Sequence, residues 1–240
     1  MLNWMRALLA QLRVEITLTL RRPESLLITL VVPVVLLIFF GSVAPTPPDF
    51  LVPGLLALAV MSTSMVSLGI ATAYERYYGA LKRLLGSPLP RVSLITAKTL
   101  AVLLIELVQI ALLLGIARLL FGWRPDGSLL TSLAALSLGS AAFAGLGLLM
   151  AGTLRAEATL AVANGLYLVF LLLGGFIVPL DNLPGPIAAV AHALPAAALT
   201  DATRAALRGG PDQGVVGPLA LLAAWAVVTM GAAAVTFRAE

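Results

Sequence analysis

Six long apolar stretches limit the possible folds of this chain more than any other feature. A helix crosses the bilayer core with about 20 apolar residues, within a range of roughly 17 to 25. The stretches that meet this requirement are Leu26 to Val43, Leu51 to Ala73, Thr99 to Ala117, Leu129 to Leu154, Ala158 to Leu180 and Val215 to Phe237. Charges, Pro or Gly clusters bound each of them and favour breaks between helices. The sequence therefore predicts an all-α membrane protein with six transmembrane helices in one domain, residues 1–240.

The composition narrows the classes of function. Hydrophobic residues make up 60% of the 240 residues and charged residues 11%, whereas soluble domains are about half apolar and a quarter charged. The net charge of +4 is carried by basic residues at the ends of apolar runs, not by a continuous stripe, so no nucleic-acid partner is expected. With no Cys and with His192 as the single histidine, we expect no metal site and no thiolate chemistry.

The basic residues predict the orientation, because positively charged flanks stay in the cytoplasm. With the N-terminus inside, the cytoplasmic basic residues are Arg6, Arg13, Arg21, Arg22, Arg76, Lys82, Arg83, Arg91, Lys98, Arg155 and Arg238. Those left outside are Arg118, Arg124, Arg204 and Arg208. Both termini are therefore predicted to be cytoplasmic.

An amphipathic helix is predicted before the first span, within residues 1–25. Its apolar residues recur at helical spacing and are Leu2, Trp4, Met5, Leu8, Leu9 and Leu12. Arg6, Gln11 and Arg13 oppose them. This pattern favours a helix that lies in the membrane interface together with lipids. The alternative is a cleaved signal peptide, although the apolar core of such a peptide is usually only about 7 to 15 residues long.

A charged insert, residues 74–91, separates the second and third spans. Leu81, Leu84 and Leu85 recur at spacings of three and four, so they predict a short amphipathic helix that Gly86, Ser87 and Pro88 end. Glu75 and Arg76 stand where the second span leaves the membrane, a position suited to ion pairing with a partner or a neighbouring helix. The insert thus predicts a cytoplasmic docking surface, and a solvated loop without a partner is the alternative.

Glu106 is a carboxylate placed well within the third span. It lies about 12 Å along the helix from Lys98, inside a hydrocarbon core roughly 30 Å thick. A charge there costs at least a few kcal/mol, so it should face the bundle interior, a partner or water. Gln109, three residues on, is positioned to share that face. A substrate-contacting or gating role and a structural hydrogen bond to another helix both remain open.

The segment from Asp181 to Arg208 is predicted to line an outer gate. Pro179, Pro184, Pro186 and Pro195 break its helices, and non-helical backbone at membrane depth survives only when it is buried in protein or faces a water-filled cavity. Asp201 and Arg204, three residues apart, are placed to form a local pair. The alternative is a surface loop that pairs its own charges.

Small residues recur at every fourth position of the fourth span. They are Ser137, Ala141 and Gly145. Such a face lets a second helix approach closely, and packing inside the bundle is favoured over a subunit interface.

Two separated motifs resemble the type 2 ABC transporter permeases. In that family the loop after the second span follows Glu-Arg-x-x-Gly-x-Leu-x-x-Leu-x-x-x-Pro with a Lys about ten residues on. The matching residues here are Glu75, Arg76, Gly79, Leu81, Leu84, Pro88 and Lys98. The second motif is similar to the family series Gly-Gly to Pro-Leu, Leu-Pro, Pro and Asp-Ala-x-Arg. It is matched by Gly174, Gly175, Pro179, Leu180, Leu183, Pro184, Pro195, Asp201 and Arg204. Departures are Ala80 for a common Thr, Pro186 and Ile187 for a frequent aromatic, and the order Ala202-Thr203.

The resemblance implies roles for these segments. The insert after the second span would be a coupling helix that touches an ATPase subunit, and residues 181–208 would form a pair of short re-entrant helices on the outer side. The coupling residues would be Glu75, Arg76, Gly79, Leu81, Lys82, Arg83, Leu84 and Pro88. The candidate residues of the substrate path or gate are Glu106, Gln109, Gly174, Gly175, Pro179, Asp201 and Arg204.

The resemblance also implies partners. The sequence contains no Gly-x-x-x-x-Gly-Lys-Ser/Thr motif, so we expect a transport subunit that binds no cofactor and is not itself an enzyme. Two copies of a P-loop ATPase would bind ATP and Mg, and a second permease copy, by symmetry a homodimer, would complete the unit.

The expected activity is export of a drug-like or lipid-like substrate from a bacterial cytoplasmic membrane. The apolar bundle with few buried charges and the family resemblance both favour such a hydrophobic or amphipathic cargo. The alternative is a proton-coupled secondary transporter that uses Glu106, but such proteins normally carry repeated halves, which this sequence lacks. An intramembrane enzyme would need a clustered nucleophile and base within the spans.

Overall fold

The computed structural model describes residues 2–21, 23–43, 46–85, 91–209 and 214–236, and helices dominate them. The elements are α1 (Leu2–Leu20), α2 (Pro23–Val43), α3 (Pro48–Met61), a π-helical segment (Ser62–Ser67), α4 (Leu68–Tyr77), α5 (Ala80–Leu85), α6 (Arg91–Phe121), α7 (Leu129–Thr153), α8 (Ala156–Leu173), a 3-10 turn (Leu180–Asn182), α9 (Gly185–His192), α10 (Pro195–Arg208) and α11 (Val216–Thr236). The π-helical segment joins α3 and α4 into one long unit.

Within the described residues, five helices are long and apolar enough to cross a membrane. They are Pro48–Tyr77, Val92–Phe121, Leu129–Thr153, Ala156–Leu173 and Val216–Thr236. The sixth predicted span coincides with α2, which is 21 residues long and contains the shorter apolar helix Thr29–Val43. The prediction of an all-helical membrane protein is therefore confirmed, while the count of six spans stays a prediction.

One predicted span is too long. The sequence predicts a helix from Ala158 to Leu180, whereas α8 ends at Leu173. Gly174 ends the helix and Gly175 has a positive φ of 66°, a conformation that glycine adopts without steric cost. The apolar residues after the break pack as an irregular turn instead of a further helical turn.

The unit formed by α3, the π-helical segment and α4 is the centre of the bundle. In its most apolar window 83% of the residues are buried, compared with 22% in α8 and in α11. Every residue from Leu51 to Met61 is buried, as expected for a helix that is hydrophobic on all sides. The outward faces of α8 and α11 instead expose large apolar side chains, including Leu172 and Val235.

The π-helical segment packs closely against α7. The Ser64 hydroxyl donates to the Val60 carbonyl at 2.6 Å, a bond that competes with the regular helical ladder. A Cβ atom at Gly147 of α7 would lie 2.7 Å from the Met65 carbonyl oxygen. Glycine at position 147 therefore lets the bulged backbone of the segment contact α7 directly.

The small-residue face of α7 packs inside the bundle at Gly145, as predicted. A Cβ atom at Gly145 would lie 2.7 Å from the Met230 amide nitrogen of α11. The Thr229 hydroxyl of α11 lies 2.9 Å from the Ala142 carbonyl of α7. Ser137 departs from the prediction, because it is exposed and lines a cavity between α6 and α7.

Helix α1 ends at Leu20. Part of its predicted apolar stripe faces away from the bundle, as a helix in the membrane interface requires, and the interface position stays a prediction. Gln11 is buried, while Met5 and Leu9 are 53% and 56% exposed. The reason is electrostatic, because Gln11 supports a carboxylate of α1 that pairs with a buried lysine of α6.

Contacts between turns and loops define two ends of the bundle, called the α5 end and the α10 end. The α5 end carries the turn from α4 to α5 and the turn from α7 to α8, which Arg76 and Leu154 join. The α10 end carries α9, α10, the start of α3 and the loop from α6 to α7, where the Trp123 indole donates to Asp49 at 2.6 Å. Helix α10 packs against α3, α7 and α11, and most of its residues are buried.

Candidate functional site

Three charged residues from three helices meet near the α5 end. The Lys98 ammonium of α6 lies 2.6 Å from Glu75 Oε2 of α4 and 3.0 Å from Glu15 Oε2 of α1. Gln11 Nε2 donates to the other oxygen of Glu15 at 2.8 Å. These three charged side chains are called the ion triad below.

The lysine of the ion triad is buried within the protein, since Lys98 is only 2% exposed. A buried charge is tolerated when it is paired and hydrogen-bonded, and removal of one partner typically costs about 3–5 kcal/mol. A cavity of about 60 Å³ borders the triad and is also lined by the hydroxyls of Thr19, Thr63 and Ser67. The triad therefore fixes α1, α4 and α6 to one another at a point that is polar and confined.

The turn from α4 to α5 continues directly from the ion triad. Arg76 Nη2 donates to the carbonyl of Leu154, which follows α7. Gly79 has a φ of 73° and so allows the sharp turn into α5. Leu81 is fully buried in a cluster with Leu68, Leu94 and Leu148. Helix α5 is thus anchored to the bundle at both the turn and its first residues.

The predicted coupling residues separate into two groups. Glu75, Arg76 and Leu81 are engaged within the chain, whereas Lys82 is exposed. Arg83 and Leu84 belong to α5, but their side chains lie outside the described part, and Pro88 lies outside the described residues.

Two exposed tyrosines that sequence reasoning missed extend this surface. Tyr77 and Tyr78 are 64% and 70% exposed, and their ring centroids are 5.2 Å apart. Together with Lys82 they form what is called the α4–α5 surface below. Aromatic side chains are enriched at protein interfaces and often contribute most of the binding energy. Consecutive tyrosines after a charged pair at a helix end were the available signal in the sequence.

Glu106 lies in the middle of α6 and is only 2% exposed. Its Oε1 atom and the hydroxyl of Ser140 on α7 both lack a partner with strict hydrogen-bond geometry among the described residues, but the two groups lie beside each other, close enough for the hydroxyl to stabilise the carboxylate. Glu106 also lines a cavity of about 330 Å³ between α1, α6 and α7, called the α6–α7 cavity below. A structural hydrogen bond between Glu106 and Ser140 of the neighbouring helix and a role in the substrate path therefore both stay predictions.

Gln109 does not share the surroundings of Glu106, in contrast to the prediction. Its amide donates to the Thr29 carbonyl of α2 at 2.7 Å, and its carbonyl oxygen lies 3.2 Å from the Thr63 hydroxyl. Because three residues turn a helix by less than one full turn, the two side chains reach different neighbours. Gln109 joins α6 to α2 and to the π-helical segment.

Arg204 of α10 ties together the α10 end of the bundle. Its Nη2 atom lies 2.6 Å from the Gly175 carbonyl and 3.2 Å from the Phe176 carbonyl. The guanidinium also stacks 3.6 Å above the Phe50 ring and lies 3.4 Å from the Phe50 carbonyl. These contacts, called the Arg204 clamp below, connect α10 to the break after α8 and to the start of α3.

The predicted pair between Asp201 and Arg204 is wrong. Asp201 Oδ2 lies 3.5 Å from His192 Nδ1 of α9 instead, because Arg204 turns toward the carbonyl groups. Burial raises the pKa of the Asp201 carboxyl above its ordinary value, against the opposing effects of His192 and Arg204. Burial lowers the pKa of Arg204 to about 10, so it remains a cation at neutral pH. Pro179 is exposed and precedes the 3-10 turn.

Sequence reasoning also missed Glu15 and Phe50. Glu15 is an acidic residue four positions after Gln11 in a mostly apolar helix, which was the signal for its buried face. Phe50 carries no local signal, because its role depends on Arg204, 154 positions away along the chain.

Comparisons with known proteins agree on one family. The family described as ABC-2 type transporter matches residues 6–207. Two similar proteins are named Probable multidrug ABC transporter permease YbhS, from Escherichia coli strain K12 and from Escherichia coli O157:H7. Each is 28% identical over 151 residues, which covers 61% of this chain and 40% of the relative. The match thus spans less than half of the length of these relatives.

Proposed function

The chain belongs to the ABC-2 type transporter family, and on that premise we propose that it is the permease of an ATP-driven exporter for hydrophobic or amphipathic compounds. Membership and the apolar helices identify a multi-pass membrane protein and the transport component of an ABC transporter, not its ATPase. The family implies a partner ATPase subunit that uses ATP and Mg. Export, the class of cargo and the route of coupling belong to the proposal.

The observation that carries the proposal is the position of the ion triad directly before the turn into α5. Glu75 precedes the exposed residues Tyr77, Tyr78 and Lys82 by only a few positions. An ATPase that docks on the α4–α5 surface would therefore push on the last turn of α4. Because Lys98 links that turn to α6 and to α1, the displacement would reach three helices at once.

In this proposal Glu75, Arg76, Gly79 and Leu81 position α5, while Lys82 and the two tyrosines contact the ATPase. Helix α5 would be the coupling helix. Leu84 and Pro88 complete the sequence motif, and Arg83 follows Lys82 as a second basic residue.

The same proposal includes the number of spans, their orientation in the membrane and the assembly of the transporter. Helix α2 would be the first of six spans, α1 would lie in the membrane interface, and the α5 end with both termini would face the cytoplasm of a bacterium. Residues 1–240 would form one permease domain. Two copies with two ATPase subunits would make the transporter, and the apolar outward faces of α8 and α11 are surfaces for lipid or for the second copy.

The outer gate of the proposed transporter is the α10 end, where α9 and α10 would be the re-entrant helices. The Arg204 clamp holds the carbonyl of Gly175 after the end of α8, and Gly174, Pro179 and Asp201 would belong to the same gate. When the gate opens, the contacts of the Arg204 clamp would break and other contacts would form. Such a replacement is needed because a protein changes conformation only when its two states make different interactions. Glu106 and Gln109 would lie along the substrate path or support it.

The cargo is proposed to be drug-like or lipid-like. The similar Escherichia coli proteins are named probable multidrug permeases, and the apolar walls of the α6–α7 cavity suit drug-like or lipid-like compounds. A proton-coupled secondary transporter that uses Glu106 remains the second candidate, supported by the buried carboxylate alone. The two candidates differ in their requirement for ATP.

The test is ATP hydrolysis by the complex of this chain with its P-loop ATPase. A variant with Tyr78→Ala and Lys82→Glu should reduce affinity for the ATPase about tenfold or more, as loss of an interface anchor does. Arg124→Glu, at an exposed residue of the α10 end, is the matched control and should leave the affinity unchanged. A wild-type chain that binds no ATPase and transports a dye without ATP would overturn the proposal.

A further inference from the structure

The α6–α7 cavity combines apolar walls with one carboxylate. Its volume is about 330 Å³, at the lower end of the usual range of roughly 300–1,000 Å³ for ligand sites. Leucine and isoleucine side chains form most of its lining, and the polar residues in it are Glu106 and Ser137. We propose that this cavity binds a lipophilic monovalent cation, with Glu106 as its counter-ion.

Glu106 lacks a positively charged partner within the described part of the chain. Among the described residues no Lys, Arg or His forms a salt bridge with it, and the Ser140 hydroxyl beside it carries no charge. A buried carboxyl without a charged partner is ordinarily neutral, because its ionised form is strongly unfavourable. A cation in the adjoining cavity would stabilise the ionised form, with the proton released to water, which an acyl chain of a lipid would not do.

The walls define what kind of cation fits. A primary ammonium group needs several hydrogen-bond acceptors to replace its water, whereas this cavity offers one carboxylate and one serine hydroxyl. A charge shielded by aromatic or aliphatic groups, as in a quaternary ammonium or phosphonium ion, needs no such acceptors. Its apolar body would contact the leucine side chains that line the cavity.

Exposed residues in the wall of the cavity indicate how a ligand would enter it. Leu104 and Leu107 line it and are also exposed on the outer surface of α6. The cavity therefore opens sideways between α6 and α7, along the apolar part of the helix, and a ligand would enter from the membrane. This inference rests on the proposed function in one respect, because it treats the bound cation as cargo.

The experiment measures equilibrium binding of two probes to the purified full-length chain in detergent. Tetraphenylphosphonium and tetraphenylborate have nearly the same size and opposite charge. Wild type should prefer the phosphonium ion, and Glu106→Gln should weaken its binding about ten- to a hundredfold, the range expected for loss of a charged partner. Glu157→Gln, the same exchange at an exposed residue of α8, is the control and should bind as wild type does.

A second variant protects the test against a folding defect. Ser137→Phe keeps the carboxylate but fills the cavity from its exposed rim, so it should also lose phosphonium binding. Equal phosphonium affinity in wild type and Glu106→Gln would overturn the inference, as would undiminished binding by Ser137→Phe or a preference for the borate. No ATPase is present in this assay, so its failure leaves coupling to the ATPase standing, and a failure of coupling leaves the binding result intact.

Discussion

The ammonium of Lys98 lies 2.6 Å from Oε2 of Glu75, and this contact joins α6 to the last turn of α4 near the α5 end of the bundle. Glu15 holds the same ammonium from α1 at 3.0 Å. A displacement of α4 must therefore either carry α1 and α6 with it or separate buried charges. This geometry is what makes the α5 end suitable for transmitting a movement into the membrane.

Lys98→Met should be strongly destabilising, by about 3–5 kcal/mol, because it leaves two carboxylates facing each other without a cation. Thermal unfolding in detergent, followed by tryptophan fluorescence, measures the effect. Lys82→Met, at the exposed lysine of α5, should change stability by less than about 0.5 kcal/mol.

A rescue identifies the cause of this loss. Adding Glu15→Gln and Glu75→Gln to Lys98→Met removes the unpaired charges and should recover most of the stability. If the triple variant unfolds at the same temperature as Lys98→Met, the electrostatic explanation of the ion triad fails.

Arg204→Lys should destabilise the α10 end by about 1–3 kcal/mol, although the charge is kept. A lysine has one ammonium group in place of the planar fork that reaches the carbonyls of Gly175 and Phe176. Hydrogen exchange of the segment around Gly175 should increase in the variant. Arg208→Lys, an exposed neighbour on α10, is the control, and equal exchange in both variants would contradict the clamp.

Gly147→Ala should destabilise the protein, because the new methyl group would lie 2.7 Å from the Met65 carbonyl oxygen. Gly165→Ala provides the comparison, since a Cβ there meets nothing within 4 Å and alanine favours a helix interior by about 0.5–1 kcal/mol. The two variants should therefore shift the unfolding temperature in opposite directions. A common direction would show that the contact between the π-helical segment and α7 is looser than described.

Asp201→Asn should raise the unfolding temperature near neutral pH and have little effect near pH 4. Burial raises the pKa of this carboxyl, so the folded protein binds the proton more tightly than the unfolded chain does. Its contribution to stability is therefore present below the ordinary Asp value and is lost as pH rises through the raised value. Unfolding temperatures of wild type and variant across this interval test it, and a difference that is constant with pH would contradict it.

The apolar runs predicted the helices well, because burial of whole apolar segments depends mainly on local composition. The end of α8 was missed, since Gly174 and Gly175 stand inside an unbroken apolar run and only their backbone conformation stops the helix.

Partners of charged side chains were less predictable, because they come from distant parts of the sequence. Lys98 and Glu75 were both recognised by resemblance, yet Glu15, 83 positions from Lys98, was not. Arg204 was expected to pair with Asp201 at helical spacing, but carbonyl groups exposed by the break after α8 compete more effectively for its guanidinium. Local spacing cannot reveal such acceptors, since they appear only when the chain is folded.

The ATPase is proposed to dock on the α4–α5 surface, and site-specific cross-linking can detect this contact. The chain contains no cysteine, so Lys82→Cys introduces a unique attachment point for a short photoreactive cross-linker. We predict a covalent adduct between this position and the P-loop ATPase of the purified complex, and none from Arg124→Cys at the opposite end of the bundle. An ATPase adduct from Arg124→Cys, or none from Lys82→Cys in a complex that hydrolyses ATP, would contradict the claim.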